Sequence, residues 1–379
     1  MIKGHYLVGV VCAGAIFVTT FSLASEPDPA DDAMRKGQSY LDAGKSDLAI
    51  ALFSEAIKIR PAWGEPRLCR GCALLKKGKY ELAIGDLREA SRLEPQFAEP
   101  LRYLGDAYLE IRDYRRAEES YTEALRLDPR NDGPNSITYV NRGLAHAAMN
   151  EFAAAIADHD QAIRHAPKDA TAYAYRGDVY RRLGEFNKAI KDCTAAIELE
   201  PRNGLGYVHR AAAYCCAGDW DKAITDCNEA IRLDPRDARA YLHRAYAYNG
   251  KGEIDKAAGE CSEAIRLDPK SPEAYILRSA VYLRTDKFDA AISDGTEAVR
   301  LDPKNALAYA YRGYAYSGKG EMDKAISDYS EAIRLEPKVL RGFTHYRRGT
   351  AYAATGERAK AEEDFAQAKK LGYKPAENP

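Results

Sequence analysis

An excess of either charge is missing from this chain: 56 Lys and Arg stand against 57 Asp and Glu, a formal net charge of −1 over 379 residues. Proteins that hold nucleic acid carry a basic surplus that displaces counterions, so that class of partner is disfavoured. Signatures of chemistry are missing as well, with no Gly-rich phosphate loop, no metal motif and no nucleophile signature. Cys69 and Cys72 form a C-x-x-C, but no second pair completes a zinc site and no His follows Cys72 as a c-type haem attachment requires. No cofactor is expected, and the chain reads as non-enzymatic. Phenylalanine is scarce, 9 residues against 26 Tyr, and the tyrosines must find their place in the fold.

One long uncharged apolar stretch is present, LVGVVCAGAIFVTTFSL at 7–23. It follows Lys3 and leads to Ser22 and Ala24, small residues spaced like a signal-peptidase site. The expectation is cleavage after Ala24 and export to the periplasm or the medium, with 25–29 as a spacer. The alternative is an uncleaved membrane anchor over 7–23, near the lower limit for a span. Val11 precedes Cys12 where a lipoprotein signal wants a small residue, which argues against lipidation. Seven cysteines follow Ala24, an odd number that cannot all pair internally. Whether Cys69 and Cys72 form a disulfide stays open.

What fills the rest is repetition. Pro61, Pro95, Pro129, Pro167, Pro201, Pro235, Pro269, Pro303 and Pro337 follow one another at intervals of 34, 34, 38, 34, 34, 34, 34 and 34 residues. One unit, ARAYLHRAYAYNGKGEIDKAAGECSEAIRLDP, shows the local logic. Tyr241, Ala245 and Tyr248 mark one face of a helix. Gly252 ends it. Ala257, Cys261 and Ala264 mark a second helix, and Pro269 stops that one. Asp169, Asn203, Asp237, Ser271 and Asn305, each two residues past a proline, are expected to cap the next helix. Neither short helix can bury its stripe alone, so the units must stack, an all-α helix–turn–helix repeat solenoid.

The pattern Y-x-x-R-[GA]-x-x-Y followed by Ala, Ala and Pro on a 34-residue period resembles the tetratricopeptide repeat, over about 30–373. Units 1–3 span 30–129, an inserted loop 130–135, units 4–9 136–337, unit 10 338–373 and a tail 374–379. The family has a large apolar residue where Arg176 and Arg312 stand, so the chain is a variant of it. The resemblance implies a right-handed α–α superhelix whose first helices line a concave groove that binds proteins or peptides. Ala33 and Lys36 make the first unit atypical, as a terminal cap would be, and the lack of a capping helix after unit 10 leaves an end surface near Phe365 partly open.

The unusual arginine has a partner column. Arg70, Arg142, Arg176, Arg210, Arg244, Arg278, Arg312 and Arg348 are each followed sixteen residues later by an acid: Asp86, Asp158, Asp192, Asp226, Glu260, Asp294, Asp328 and Asp364. The two units without the arginine, having Lys36 and Leu104, also lack the acid, having Leu52 and Ser120. Pairing within the unit leaves no orphan, which predicts a structural ion pair joining the two helices of each repeat.

A ligand is then expected where the units differ, two, five and six residues beyond the arginine. The candidates are Asp178, Arg181, Arg182, Tyr246, Asn249, Leu283, Arg284 and Tyr314. The repeated tyrosine columns are expected to be core. The expected function is an exported, non-catalytic scaffold that binds a protein or extended peptide. The alternatives are a regulatory subunit acting in trans on a separate enzyme, or a membrane-tethered assembly factor. A membrane is a partner only if residues 7–23 stay on, and the protein partner is not named by the sequence.

Overall fold

The computed structural model of the protein describes residues 28–129, 132–335 and 341–374. The expected signal or anchor, residues 130–131 of the insertion, residues 336–340 and the tail beyond 374 lie outside them. No helix among the described residues is long and apolar enough to cross a membrane. The fold is all-α, with twenty helices and no strand among those residues. The chain divides into two compact units at Glu185 and Phe186.

The first unit contains α1 (Pro29–Asp42), α2 (Ser46–Ile59), α3 (Glu65–Lys76), α4 (Tyr80–Leu93), α5 (Glu99–Glu110), α6 (Tyr114–Leu127), α7 (Asp132–Ala148), α8 (Phe152–His165) and α9 (Ala170–Arg182). The second contains α10 (Phe186–Leu199), α11 (Gly204–Ala217), α12 (Trp220–Leu233), α13 (Ala238–Lys251), α14 (Ile254–Leu267) and α15 (Pro272–Leu283). It continues with α16 (Phe288–Leu301), α17 (Ala306–Gly318), α18 (Met322–Leu335), α19 (Arg341–Ala354) and α20 (Arg358–Lys370). Within each unit the odd-numbered first helices pack on the even-numbered second helices of their own and the preceding repeat. Consecutive first helices also touch each other, whereas consecutive second helices do not. Within each unit the first helices are therefore packed closer to one another than the second helices are.

Helix ends follow the local chemistry. The side chains of Asp169, Asn203, Asp237 and Asn305 each accept from the backbone N–H two residues on. Ser271 differs: its hydroxyl donates to Glu273, and Pro272 opens the helix instead. Asp28 caps α1, which begins inside the expected 25–29 spacer. Helix α7 begins at Asp132, inside the span expected to be loop, so the inserted residues lengthen it to 17 residues.

Packing rests on small residues. Ala83, Ala117, Ala155, Ala223, Ala257, Ala291 and Ala325, all on second helices, are fully buried. At Gly37, Gly71, Gly105, Gly143, Gly313 and Gly349 of the first helices, the second helix crosses the glycine with a large side chain. A Cβ on Gly105 would stand 2.5 Å from the Tyr121 ring, and one on Gly143 2.6 Å from His159. Where Ala211 and Ala245 replace the glycine, the facing residues shrink to Cys227 and Cys261, whose thiols burial pushes up in pKa. In these repeats the two columns trade volume, as close packing demands. At the C-terminal end, Tyr373 folds back onto Tyr346, ring centroids 5.2 Å apart, and Tyr346 packs on Phe365 at 5.6 Å. Phe365 is thereby half-buried.

Candidate functional site

The arginine of each first helix points across to its own second helix. Arg70 Nε and an Nη donate to the two oxygens of Asp86 at 2.6 and 2.7 Å. The same two-pronged contact joins Arg142 to Asp158, Arg210 to Asp226, Arg278 to Asp294, Arg312 to Asp328 and Arg348 to Asp364. Arg244 meets Glu260 through one bond of 2.8 Å, and its Nε has no partner, because the longer acid misaligns the fork. Arg176 and Asp192 belong to different units; within its own unit Arg176 donates to Asp160 at 2.5 Å. The aspartates are buried, Glu260 is half-buried and the guanidinium groups are partly covered, and the bond to aspartate raises the pKa of Arg70, Arg210, Arg278, Arg312 and Arg348 above its ordinary value.

One or two tyrosines complete the enclosure in most repeats. The guanidinium of Arg278 lies 5.9 Å from the Tyr275 ring and 5.8 Å from the Tyr282 ring, and Arg210 sits likewise against Tyr207 and Tyr214. These columns are half-buried walls around the arginine, which is why tyrosine serves where a core position would take phenylalanine. The free arginine nitrogen has a further acceptor that sequence reasoning missed. Arg70, Arg142, Arg210, Arg244, Arg278 and Arg348 each donate to the second helix of the preceding repeat. The acceptors are Ser54, Thr122, Thr194, Asn228, Ser262 and Ser330, at 2.7 to 3.0 Å. The signal was a largely polar column two positions after the acid column, holding Ser54 and Thr122 even in the two repeats where Leu52 and Ser120 replace the acid. In the repeat that has Leu104, the preceding second helix carries Arg88 at that place, and it donates to the hydroxyl of Tyr108.

The candidate groove residues separate into three groups. Arg182 donates to the carbonyl of Ala147 at the end of α7 at 2.9 Å, with its guanidinium 5.1 Å from the Phe152 ring. Arg284 donates to the carbonyl of Asn249 at 2.7 Å and to its side chain at 2.9 Å. Both arginines thus close the C-terminal end of the preceding first helix, where a cation is favoured. Leu283 is 7% exposed and packs with Ala291 and Ala315. Gly250, at the same register as Arg284, lies under Trp220 of the preceding repeat. The position six beyond the arginine is therefore a junction between repeats, not a groove wall.

The second group is Asp178 and Arg181, which pair with each other along α9 at 2.8 and 3.0 Å. The third is aromatic. Tyr246 keeps 39% of its surface open, yet crowding neighbours push its phenol above the ordinary range. Burial is the main cause, and Tyr311 on α17, Glu273 on α15 and Cys215 on α11 are near enough to add to it, besides Cys261. Tyr246 is thus crowded by other first helices and still open to water. Tyr314, half-buried on α17, stacks on Arg347. The candidate site is this inner face of the second unit. No group of three or more His, Cys, Asp or Glu among the described residues is placed to hold a metal ion.

Comparison with known proteins gives a consistent result. Tetratricopeptide repeat family models match residues 33–62, 70–132, 170–203, 213–272, 272–305 and 306–339. No curated protein matches the chain. Among solved structures, the APC/C hetero-tetramer Cut9-Hcn1 is similar at 17% identity and a TM-score of 0.51, over 91% of this chain and 80% of that one. A tetratricopeptide repeat protein from Parabacteroides merdae is similar at 20% identity and a TM-score of 0.50, over 70% of this chain and 98% of that one. Yeast Tom70 aligns at 15% identity over 90% and 92%, with a TM-score of 0.49.

Proposed function

The chain belongs to the tetratricopeptide repeat family, and we propose that it is an exported, non-catalytic scaffold that binds a protein or extended peptide. The fold is one of protein–protein interaction. The binding surface in this reading is the inner face of the second unit, and the observation behind it is the open, crowded Tyr246 on α13. Aromatic rings offer large contact area at low entropic cost, and such grooves suit an extended chain. Arg182, Arg284 and Leu283 are assigned to the scaffold instead.

A pull-down from the exported fraction with residues 26–379 tests the reading. A protein recovered by the wild type should be lost with Tyr246→Ser and retained with Arg358→Glu, which alters an exposed residue at the start of α20. Equal recovery by all three moves the site elsewhere. Export rests on the pattern of residues 1–24, and N-terminal sequencing of the mature protein decides between cleavage after Ala24 and an anchor.

A further inference from the structure

Two repeats pass a tyrosine from the second helix across the glycine of the first. In the first unit this is Tyr121 beside Gly105, and its hydroxyl donates to Asp106 Oδ1 at 2.6 Å. Asn141, on the next first helix, donates to the same oxygen at 2.9 Å. Two donors thus share one carboxylate. Burial raises the pKa of that carboxylate, an effect the two donors oppose.

In the second unit Tyr329 crosses beside Gly313 in the same register, and its side chain is fully buried. The residue matching Asp106 is Tyr314, and the residue matching Asn141 is Arg347. Donors are kept and the acceptor is gone. The Tyr329 hydroxyl and Arg347 Nε are both buried without a hydrogen-bond partner, an arrangement that native proteins avoid. The Arg347 guanidinium lies 4.2 Å from the Tyr314 ring and 5.2 Å from the Phe343 ring. Stacking covers the faces of a guanidinium and leaves its N–H edge, which lies in the plane, for a forked acceptor. Arg210, Arg244, Arg278, Arg312 and Arg348 of the same unit each have an acid. Arg347 has none among the described residues.

We propose that the inner face of α17 and α19 takes an acidic side chain of an extended peptide. Its carboxylate supplies at Arg347 the acceptor that Asp106 supplies in the first unit, and the rings of Tyr246, Tyr311, Tyr314 and Phe343 border the bound chain. This deepens the reading above and rests on it.

The test uses residues 26–379 and an array of random twelve-residue peptides with amidated C-termini. Bound peptides should be enriched in Asp and Glu. A single acid-to-amide change in a bound peptide should weaken it about tenfold or more, the loss of a charge-assisted contact. Arg347→Gln should impose the same loss on the unaltered peptide. Tyr314→Asp copies the first unit's arrangement, so it should raise the thermal midpoint while abolishing the preference for acids, an outcome misfolding cannot produce. Bound peptides without acid enrichment, affinity indifferent to Arg347→Gln, capture only of peptides with free C-termini, or no capture at all would overturn the proposal. Binding that depends on Tyr246 but ignores Arg347 removes this inference alone; binding that ignores both removes the groove reading as well.

Discussion

A guanidinium held by one carboxylate, flanked in most repeats by one or two tyrosine rings and tied to the preceding repeat is the recurring residue-scale device of this chain. Its acid is the vulnerable half: Asp294 is 5% exposed and has no water to replace a lost partner. Arg278→Ala is expected to cost about 3–5 kcal/mol, the price of an orphaned buried charge. Arg278→Leu combined with Asp294→Ser, which copies Leu104 and Ser120, should cost markedly less. Thermal unfolding of the single and double variants checks this, and absence of coupling would show that the pair is not a unit. The paired columns were legible because both residues vanish together in two repeats. The third contact was not, because Ser, Thr and Asn in one column look like ordinary surface variation.

His159 belongs at the same scale. It is fully exposed to neither water nor partner: its surface is 0% accessible, and neither ring nitrogen has a hydrogen bond. Burial holds its pKa down to about 3, below the ordinary 6.5. The folded state therefore prefers the neutral ring. Its contribution is fully present above about pH 6.5 and is lost as pH falls toward 3, by about 1.4 kcal/mol per pH unit. Denaturant melts of wild type and His159→Leu between pH 7 and pH 4.5 should diverge, the variant losing less; parallel curves would mean the ring is hydrated.

Among elements, the helix pairs and their stops were legible from the period, since proline and glycine act locally. The turn between first and second helices needs a left-handed residue, supplied by Gly184, Gly218, Gly252 and Gly320, while Arg112, Asn150 and Asp286 adopt φ of 63°, 63° and 53° without that freedom. Asp286→Gly and Arg112→Gly should each stabilise by about 0.5–1 kcal/mol, the strain relieved less the added entropy of the unfolded chain. A lowered melting midpoint in either variant would contradict this. Less legible was what lies beyond a repeat's own length. Register alone places Arg182 and Arg284 near a groove; their carbonyl contacts with the preceding helix depend on how repeats stack. The insertion before α7 extends a helix because its residues continue the helical turn rather than leaving it.

At the level of the molecule, the two units present different inner faces. The first carries polar groups that satisfy each other, Asp106 with Tyr121 and Asn141, and Asp178 with Arg181. The second carries aromatic rings and an arginine without an acid. That contrast was only partly visible in sequence. Tyr246 and Tyr314 stood out as differing positions, whereas Arg347 became a candidate only once Tyr329 was seen to cross beside it unpaired.

The central claim is that a partner lies along the inner face of the second unit. Site-specific photo-cross-linking in the native host tests it most directly, with a photoreactive phenylalanine at Tyr246 and, separately, at Leu82, an exposed apolar residue on a second helix of the first unit. The account predicts a discrete adduct from position 246 and none from position 82. An adduct from position 82 alone would contradict it.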